Sequence, residues 1–428
     1  MRELLEREGA TVDLEHGHFE RMLRRRDRKR RNQRIGAGVL AIIIALVTFV
    51  AMTRAFDAAK PPADGSHPRT FTGMVIRYTG NPYGIGPLGD LVAQDPSTGE
   101  VITVIDGADM RFLRDRGIRW AAPSADGRWV AFEMVSCVAG HLVKSGLWLT
   151  NGTDQPRQLT APCLEGPEVS EGLWAWSPTG SRLAAVEGGQ LILIDAATGH
   201  RTELGKTTGD VTSLAWSPDG SRIAYGTVPV GTGDGAANTV RASVYSVDVR
   251  SGDHALLANV IGQLPGGEEG SGIRWSPDGR RIAVLGGITE ARLYLVKANG
   301  SGAELLTEGV NIAHVLGSPN LDWSPDGTRI AYATLIQDRD RLQIWNGSPA
   351  GSTPVLVFDP TSSPGKFTLS GGPVWSPDGT QIAFRYDATG EEKGWLVANA
   401  DGTGAAHEID ELQYLSWRGG WYFCECYG

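Results

Sequence analysis

The sequence lacks the residue patterns that mark many hydrolases and metalloproteins. It contains no Gly-x-Ser-x-Gly stretch, the turn on which serine hydrolases of the α/β type present their nucleophile. Its eight histidines are scattered and never fall at the spacing with which histidine pairs bind zinc. We therefore predict no catalytic residues, no cofactor and no metal site.

Charged residues are also scarce, at 21% of the 428 residues, and they are unevenly distributed. Residues 1–34 contain eleven Arg and Lys against seven Asp and Glu, so this segment carries a net charge of +4. Because the whole chain carries −9, the residues that follow carry −13. A surface of that sign repels phosphate backbones, which argues against nucleic acid as a partner.

What the sequence does contain is an internal repeat. The stretch Trp-Ser-Pro-Asp-Gly occurs four times, a fifth copy is Trp-Ser-Pro-Thr-Gly, and a sixth is Pro-Ser-Ala-Asp-Gly from Pro123. Successive copies lie 40 to 59 residues apart, which suits the blades of a β-propeller. The repeat residues that we expect to build one turn in each blade are Trp176, Pro178, Gly180, Trp216, Pro218, Asp219, Gly220, Trp275, Pro277, Asp278, Gly279, Trp323, Pro325, Asp326, Gly327, Trp375, Pro377, Asp378 and Gly379.

Each copy has the chemistry of a tight turn between two strands. Proline fixes φ at the first corner, Ser and Asp side chains bond neighbouring backbone amides, and Gly accepts a positive φ. Runs such as "RIAY" after the turn alternate like half-buried strands, and Gly-bearing hairpins such as "LYLVKANGSGAELL" complete the unit. Four antiparallel strands per repeat predict an all-β protein with a single β-propeller, whose repeat tryptophans fill the wedge between blades.

The two ends of the repeat region predict how the ring closes. "GMVIRYTG" from Gly73 resembles a strand that follows the turn, and "LVAQDPSTGEVITVI" from Leu91 resembles the hairpin, but no Trp-ending strand precedes them. Such a strand is found at the other end of the chain, in "LQYLSWRGG" from Leu412. The fragments together predict one composite blade and seven blades in all. Six blades are the alternative, because "RGGWYFC" could mimic a strand that follows a turn.

The first 70 residues predict a membrane anchor. Residues 35–53 are nineteen residues without a charge, about 28 Å long as a helix, which is enough to cross a bilayer core. The arginine-rich run at 24–31 predicts that the N-terminus stays in the cytoplasm. We predict a cytoplasmic basic tail at 1–34, a transmembrane signal anchor at 35–53, a stalk at 54–70 and an extracytoplasmic propeller at 71–428. The protein is then a single-pass protein of the cytoplasmic (inner) membrane.

The repeat resembles the WD40-like units of the TolB propeller family. The shared pattern is Trp-Ser-Pro-Asp-Gly followed by "RIAY" or "QIAF" and then by the "LYLV" hairpin, and it extends over about residues 70–420. The propeller domains of prolyl-oligopeptidase-like enzymes are built from similar units. The resemblance implies the fold and no particular activity. Because TolB proteins are soluble periplasmic chains with a small N-terminal α/β domain and usually six blades, a role in the Tol system is not implied.

Cysteine is rare, and the four cysteines permit disulfides if the propeller lies outside the membrane. Cys137 is predicted in the loop after the second strand of its repeat and Cys163 in the loop after the fourth. Both loops lie on one face, so we predict a Cys137–Cys163 disulfide. Cys424 and Cys426 are too close for an unstrained bond with each other; they could be strained, free or paired elsewhere, and a zinc site is a weaker alternative.

Three classes of function fit these features. We favour a non-catalytic module that recognises a protein, a peptide or an envelope polymer through one face of the propeller. Its candidate exposed contacts are the tryptophans outside the repeat register, Trp148, Trp174, Trp345 and Trp421. The second class is a transmembrane regulator, because residues 14–34 resemble the membrane-proximal parts of anti-sigma-factor-like proteins, with the propeller as sensor. The third is a propeller hydrolase or lyase that uses the central funnel.

Overall fold

The computed structural model describes residues 70–79, 89–107, 116–138, 141–160, 173–229, 241–261, 272–286, 292–307, 321–335, 342–347, 355–358, 367–388, 392–411, 413, 416 and 422–423. All of them belong to one compact unit, Arg69–Asp359 with Lys366–Gly428. The predicted tail, the anchor and nearly all of the stalk lie outside the described residues, as do Cys163, Trp421, Cys424 and Cys426. Within the described residues, no helix is long and apolar enough to cross a membrane.

The described residues form seven antiparallel sheets. Sheet 1 contains β1 (Val75–Tyr78), β2 (Leu91–Gln94) and β3 (Val101–Ile105). Sheet 2 contains β4 (Arg116–Pro123), β5 (Val130–Val138), β6 (His141–Thr150), β7 (Arg157–Gln158) and the C-terminal β28 (Tyr422–Phe423). Sheet 3 contains β8 (Trp174–Trp176), β9 (Arg182–Glu187), β10 (Gln190–Asp195) and β11 (Arg201–Lys206).

The remaining four sheets follow the same order along the chain. Sheet 4 contains β12 (Asp210–Trp216), β13 (Arg222–Val228), β14 (Arg241–Asp248) and β15 (His254–Ile261). Sheet 5 contains β16 (Ile273–Trp275), β17 (Arg281–Gly286), β18 (Arg292–Lys297) and β19 (Ala303–Thr307). Sheet 6 contains β20 (Leu321–Trp323), β21 (Ile330–Leu335), β22 (Leu342–Gly347) and β23 (Val355–Phe358). Sheet 7 contains β24 (Phe367–Trp375), β25 (Gln381–Ala388), β26 (Glu392–Asn399) and β27 (His407–Ile409).

The sheets are arranged as the blades of a propeller. The first strands of consecutive sheets contact one another, as β8 and β12, β12 and β16, and β20 and β24 do. A separate apolar cluster fills each space between consecutive sheets from sheet 1 to sheet 7. Convergence on the first strands and face-to-face packing confirm the predicted all-β propeller. Sheets 2 to 7 are six complete blades, and sheet 1 has three described strands.

The strands after the repeat turns are more buried than their sequence pattern predicted. The runs were expected to alternate between core and solvent, but in β13 every residue from Ile223 to Val228 is buried. Each such strand lies between two neighbouring sheets, so both of its faces pack against protein. The fourth strand of a sheet has an outer edge, and in β15 only Leu257 and Val260 are buried.

The predicted closing strand is wrong. Gln413 and Ser416, described residues of the segment that was expected to complete sheet 1, are helical. The C-terminal strand that does pair with the start of the chain is β28, in which Tyr422 lies opposite Ala121 and Phe423 opposite Trp120 of sheet 2. Because β28 also contacts β1, the C-terminus still meets the first two sheets, although through a later segment than predicted.

Candidate functional site

Five of the six repeat turns are held by a hydrogen bond between a serine and an aspartate, and the turn at 176–180 has Thr179 in place of the aspartate. In the copy at 217–222, the Ser217 hydroxyl donates to Oδ1 of Asp219 at 2.6 Å, and the backbone N–H of Arg222 donates to Ser217 Oγ at 2.9 Å. Hydrogen bonds from Ser217 and Ser221 lower the pKa of the Asp219 carboxyl, which keeps it ionised at neutral pH. The same serine-to-aspartate bond recurs at Asp126, Asp278, Asp326 and Asp378.

The glycines that end these turns have the left-handed backbone that the turn chemistry requires. Their φ angles lie between +67° and +71° at Gly127, Gly180, Gly220, Gly279, Gly327 and Gly379. A Cβ placed on Gly327 would lie 3.4 Å from Cδ of Pro277, which belongs to the preceding turn. Neighbouring turns therefore stack in a row on one face of the propeller. The first corner of each turn is an exposed proline, at Pro178, Pro218, Pro277, Pro325 and Pro377.

The repeat tryptophans join consecutive blades by hydrogen bonds as well as by packing. Each indole N–H donates to the backbone carbonyl of the residue that precedes the corresponding position in the preceding sheet, at 3.1 to 3.2 Å. The pairs are Trp176 with Ala122, Trp216 with Ala175, Trp275 with Ala215, Trp323 with Arg274, and Trp375 with Asp322. Since the residue type changes but the acceptor is always a backbone carbonyl, the bond is a property of the repeat.

A cleft of about 700 Å³ opens between the turn at 217–222 of sheet 4 and the adjacent turn and hairpin of sheet 5. Trp275, which joins the two sheets, is part of its lining. The guanidinium of Arg222 reaches from sheet 4 to sheet 5 and donates from Nη1 to the Ala298 carbonyl at 3.0 Å. The charged residues of the lining are Asp219, Arg222, Arg280, Arg281, Lys297 and Glu304.

A second polar feature lies on the first strands, where the sheets converge. Asp322 occupies the position that is Ala175, Ala215 and Arg274 in the preceding sheets. Its Oδ2 accepts the backbone N–H of Trp375 in the next sheet at 3.0 Å. Desolvation by burial raises the pKa of Asp322 to about 6, although the Trp375 amide and the nearby Arg274 charge act in the opposite direction. The hydrogen bond from Trp375 to Asp322 therefore joins sheets 6 and 7. Burial of the ionised carboxylate costs free energy, and this cost disappears when the carboxyl is protonated at low pH.

We expect Asp322→Asn to stabilise the protein at pH 8 and to have little effect at pH 4. The folded chain binds the Asp322 proton more tightly than the unfolded chain, so stability falls as the pH rises from about 4 through 6. A shift of about two pKa units corresponds to a gain of up to about 3 kcal/mol at pH 8. Asparagine keeps an acceptor for the Trp375 amide. Calorimetric unfolding at both pH values measures the difference.

Asp326→Asn provides the matched control with the opposite sign. Hydrogen bonds from Ser324 and Thr328 lower the pKa of Asp326, so its contribution to stability is present above the unfolded pKa and is lost as the pH falls. The control variant should therefore be less stable than the wild type at pH 8. Equal stability of the wild type and Asp322→Asn at both pH values would contradict the burial argument.

His254, one of the eight scattered histidines, has a structural role. Its Nδ1 lies 2.6 Å from the hydroxyl of Tyr225, and its Nε2 lies 2.9 Å from the carbonyl oxygen of Leu204 in sheet 3. Burial raises the pKa of Tyr225, so the phenol stays protonated and can donate to Nδ1. The imidazole thus bridges sheets 3 and 4. Nothing in the sequence pattern around position 254 indicates this contact.

Several other predicted site residues are placed differently from the expectation. Trp148 and Trp174 are buried, with 9% and 2% of their surface exposed, so neither is an exposed aromatic contact. Both pack in the apolar clusters that flank sheet 2. Cys137 lies within β5 rather than in a loop, because the strand continues to Val138. The predicted disulfide partner, Cys163, lies outside the described residues, as does Trp421.

Among the described residues, no group of three or more His, Cys, Asp or Glu side chains is placed to hold a metal ion.

The chain is similar in sequence to known repeat proteins over limited segments. The sequence profile of the family "WD domain, G-beta repeat" matches residues 198–236. An uncharacterized protein of Agrobacterium fabrum is 28% identical over 185 residues, which are 40% of this chain and 53% of that protein. Dipeptidyl-peptidase 5 of Porphyromonas endodontalis is 31% identical over 123 residues, which are 27% of this chain and 16% of the peptidase. The chain thus spans about half of the first relative and much less of the second.

Two solved structures illustrate the likeness in three dimensions. Dipeptidyl peptidase 4 of Porphyromonas gingivalis aligns with 81% of this chain and 54% of its own, with a TM-score of 0.51 and 12% identity. TolB of Acinetobacter baumannii aligns with 79% of each chain, with a TM-score of 0.40 and 16% identity. At these identities the first likeness supports the fold alone, and the second carries no argument. The converging sheets and the indole bonds between blades identify the chain as a β-propeller protein, and its segment at residues 198–236 is similar to a WD repeat.

Proposed function

We propose that the protein is a membrane-anchored, extracytoplasmic β-propeller that binds a partner or ligand without transforming it. The observation that carries this proposal is the cleft between sheets 4 and 5. Its volume of about 700 Å³ lies within the range of ligand sites, and two blades present charged side chains to it. Loops and turns on a rigid scaffold are the usual place for recognition.

The lining of the cleft favours binding over catalysis. Its two serines are engaged in the turn, because the hydroxyls of Ser217 and Ser221 both donate to the carboxylate of Asp219. The pKa of Asp219 is lowered by these bonds, so its carboxylate is a poor base at neutral pH. A serine nucleophile needs an adjacent base that accepts its proton. The described lining instead offers cations and hydrogen-bond donors, which suit recognition.

We also propose that sheet 1 is a seventh blade between sheets 7 and 2. On one side, Phe71 and Ile76 pack in one apolar cluster with Phe132 of sheet 2. On the other side, Arg77 of β1 lies 3.6 Å from the carboxylate of Glu411, which follows sheet 7. An experimental structure in which sheet 7 packs directly on sheet 2 would exclude this arrangement.

The test is crosslinking and affinity capture from native membranes, with full-length protein compared with a variant that lacks residues 1–34. Extracytoplasmic partners that survive the deletion support the binding module. A cytoplasmic regulator that is captured only by the full-length chain supports the alternative, in which the propeller is the sensor of a transmembrane regulator. If neither chain captures an extracytoplasmic partner while both are intact in the membrane, the binding proposal is rejected.

A further inference from the structure

We propose that the cleft between sheets 4 and 5 binds a carboxylate or phosphate anion of small-molecule size that carries at least two negative charges. This inference rests on the proposed binding role and specifies the chemistry of the ligand. The register of the strands behind the cleft pairs charges differently in sheet 5 and in sheets 3 and 4.

In sheets 3 and 4, the arginine that follows the turn lies opposite an aspartate on the neighbouring strand. Arg182 is the register partner of Asp195, and Arg222 is the register partner of Asp248. Backbone hydrogen bonds chiefly lower the pKa of both aspartates, and the facing arginines contribute in the same direction. Opposite charges at directly paired positions stabilise a sheet.

In sheet 5 the same register position holds two positive charges. Arg281 is the register partner of Lys297, so the aspartate of the other two sheets is replaced by a lysine. Like charges that face each other directly across two strands destabilise a sheet. The equivalent pair is attractive in sheets 3 and 4 and neutral in sheet 7, where Gln381 lies opposite Asn399. A repulsive pair in sheet 5 therefore indicates a local requirement for positive charge.

Two more arginines add to this charge. Arg280 precedes Arg281 in the turn, and Arg222 reaches the cleft from sheet 4, where its bond to the Ala298 carbonyl fixes its position. Against these four cations the described lining has two carboxylates, Asp219 and Glu304, which leaves the lining itself with a net charge of +2. Asp248 and Asp278 lie outside the lining and offset part of the charge of Arg222, Arg280 and Arg281, but Lys297 faces another cation. The chain beyond residue 34 carries −13, so the positive charge of the cleft is a local exception.

The size and geometry of the cleft narrow the ligand class. A volume of about 700 Å³ suits a ligand of drug or metabolite size. Guanidinium groups bind carboxylate and phosphate through paired N–H donors, and an ammonium adds a point charge. Because the cations come from two blades, a ligand with two separated anionic groups can contact both walls. Carboxylates and phosphates share this chemistry.

The experiment is isothermal titration of the full-length protein with citrate, with pyrophosphate and with uncharged galactose. We expect citrate or pyrophosphate to bind with one-to-one stoichiometry and galactose not to bind. The response to citrate or to pyrophosphate tells whether carboxylate or phosphate is preferred. Lys297→Asp should raise the Kd at least tenfold, and Lys297→Met, which keeps the aliphatic stem, should also weaken binding.

Two controls separate the cleft from general charge and from misfolding. Lys206→Asp makes the same charge change on an exposed residue of β11, outside the cleft, and should leave the Kd unchanged. Without ligand, Lys297→Asp should unfold at the same temperature as the wild type or above it, because it places a carboxylate opposite Arg281 as in sheets 3 and 4. At one fixed anion concentration, the unfolding temperature should rise equally for the wild type and Lys206→Asp, and less for Lys297→Asp.

Three results would overturn the inference. These are no binding of either anion to the wild type, wild-type affinity in Lys297→Asp, and an equal loss of affinity in Lys206→Asp. Affinity capture with Lys297→Asp in native membranes distinguishes failure of the anion-binding inference from failure of the proposed binding function. If the variant retains its extracytoplasmic partners while the wild type binds no anion, the binding module stands and the anion site does not.

Discussion

Replacing Trp323 with alanine is expected to lower the free energy of unfolding by about 3–5 kcal/mol. The indole is 6% exposed and packs in the apolar cluster between sheets 5 and 6. It also donates its N–H to the Arg274 carbonyl at 3.1 Å, so alanine removes both a large apolar volume and a bond between blades. Urea unfolding followed by far-ultraviolet circular dichroism measures the loss.

Trp216 provides a matched comparison because its hydrogen bond is the same and its burial is not. Its indole N–H donates to the Ala175 carbonyl at 3.1 Å, but the side chain is only half-buried. We expect Trp216→Ala to cost less than Trp323→Ala. Phenylalanine at either position keeps a ring and removes the donor, so the two phenylalanine variants should lose similar amounts, about 1 kcal/mol each. Equal losses in the two alanine variants would contradict the role assigned to burial.

Gly180→Ala is expected to destabilise the protein much more than Gly220→Ala, although the two glycines occupy the same place in the repeat. Their φ angles are +71° and +69°, so an alanine at either position pays the same left-handed backbone strain, about 1–2 kcal/mol. At Gly180, however, the new Cβ would lie 2.7 Å from the backbone nitrogen of Asp126. Overlap with backbone adds a further cost of about 1–3 kcal/mol.

The comparison with Gly220→Ala separates the cost of the steric overlap from the cost of the left-handed backbone. At Gly220 the nearest atom to a new Cβ is Cδ of Pro178 at 3.8 Å, which is an ordinary contact. Thermal unfolding of the two alanine variants measures the difference in stability between them. If both variants unfold at the same temperature, the turns of sheets 2 and 3 are less tightly stacked than the structure indicates.

The turn chemistry and the fold were predictable because they repeat. A single Trp-Ser-Pro-Asp-Gly stretch would predict only a turn, but several copies at blade spacing predict how many sheets follow one another and where each begins. The Ser217–Asp219 bond follows from the ordinary behaviour of short polar side chains in turns. The wedge role of the tryptophans follows from their size. To predict which carbonyl accepts the indole N–H, one must know how far each blade is displaced from the next. The sequence does not give this displacement.

The features that distinguish one blade from another were harder to predict. Asp322 and Lys297 are visible in an alignment of the repeats, because the equivalent positions hold Ala175 and Asp195 in sheet 3. Their roles depend on the groups that they meet, which are the Trp375 amide of the next sheet for Asp322 and Arg281 on the paired strand for Lys297. Only the structure shows these neighbours. The prediction of the closing strand was wrong for another reason. A short apolar run such as "LQYLSW" is compatible with a strand or a helix, and periodicity does not separate the two.

The indole bonds all point backwards along the chain. Trp176 donates to a residue made earlier, Ala122, and Trp375 donates to Asp322, so every acceptor carbonyl exists before its donor is synthesised. Chains of this kind can fold from the N-terminus while synthesis continues. Each newly made blade can pack against the blade made before it. Because a repeat unit contacts only its neighbours, the preceding blade is sufficient for the new one to fold. The pairing of β28 with β4 is different, because it joins the second sheet to residues that are made after the seventh sheet.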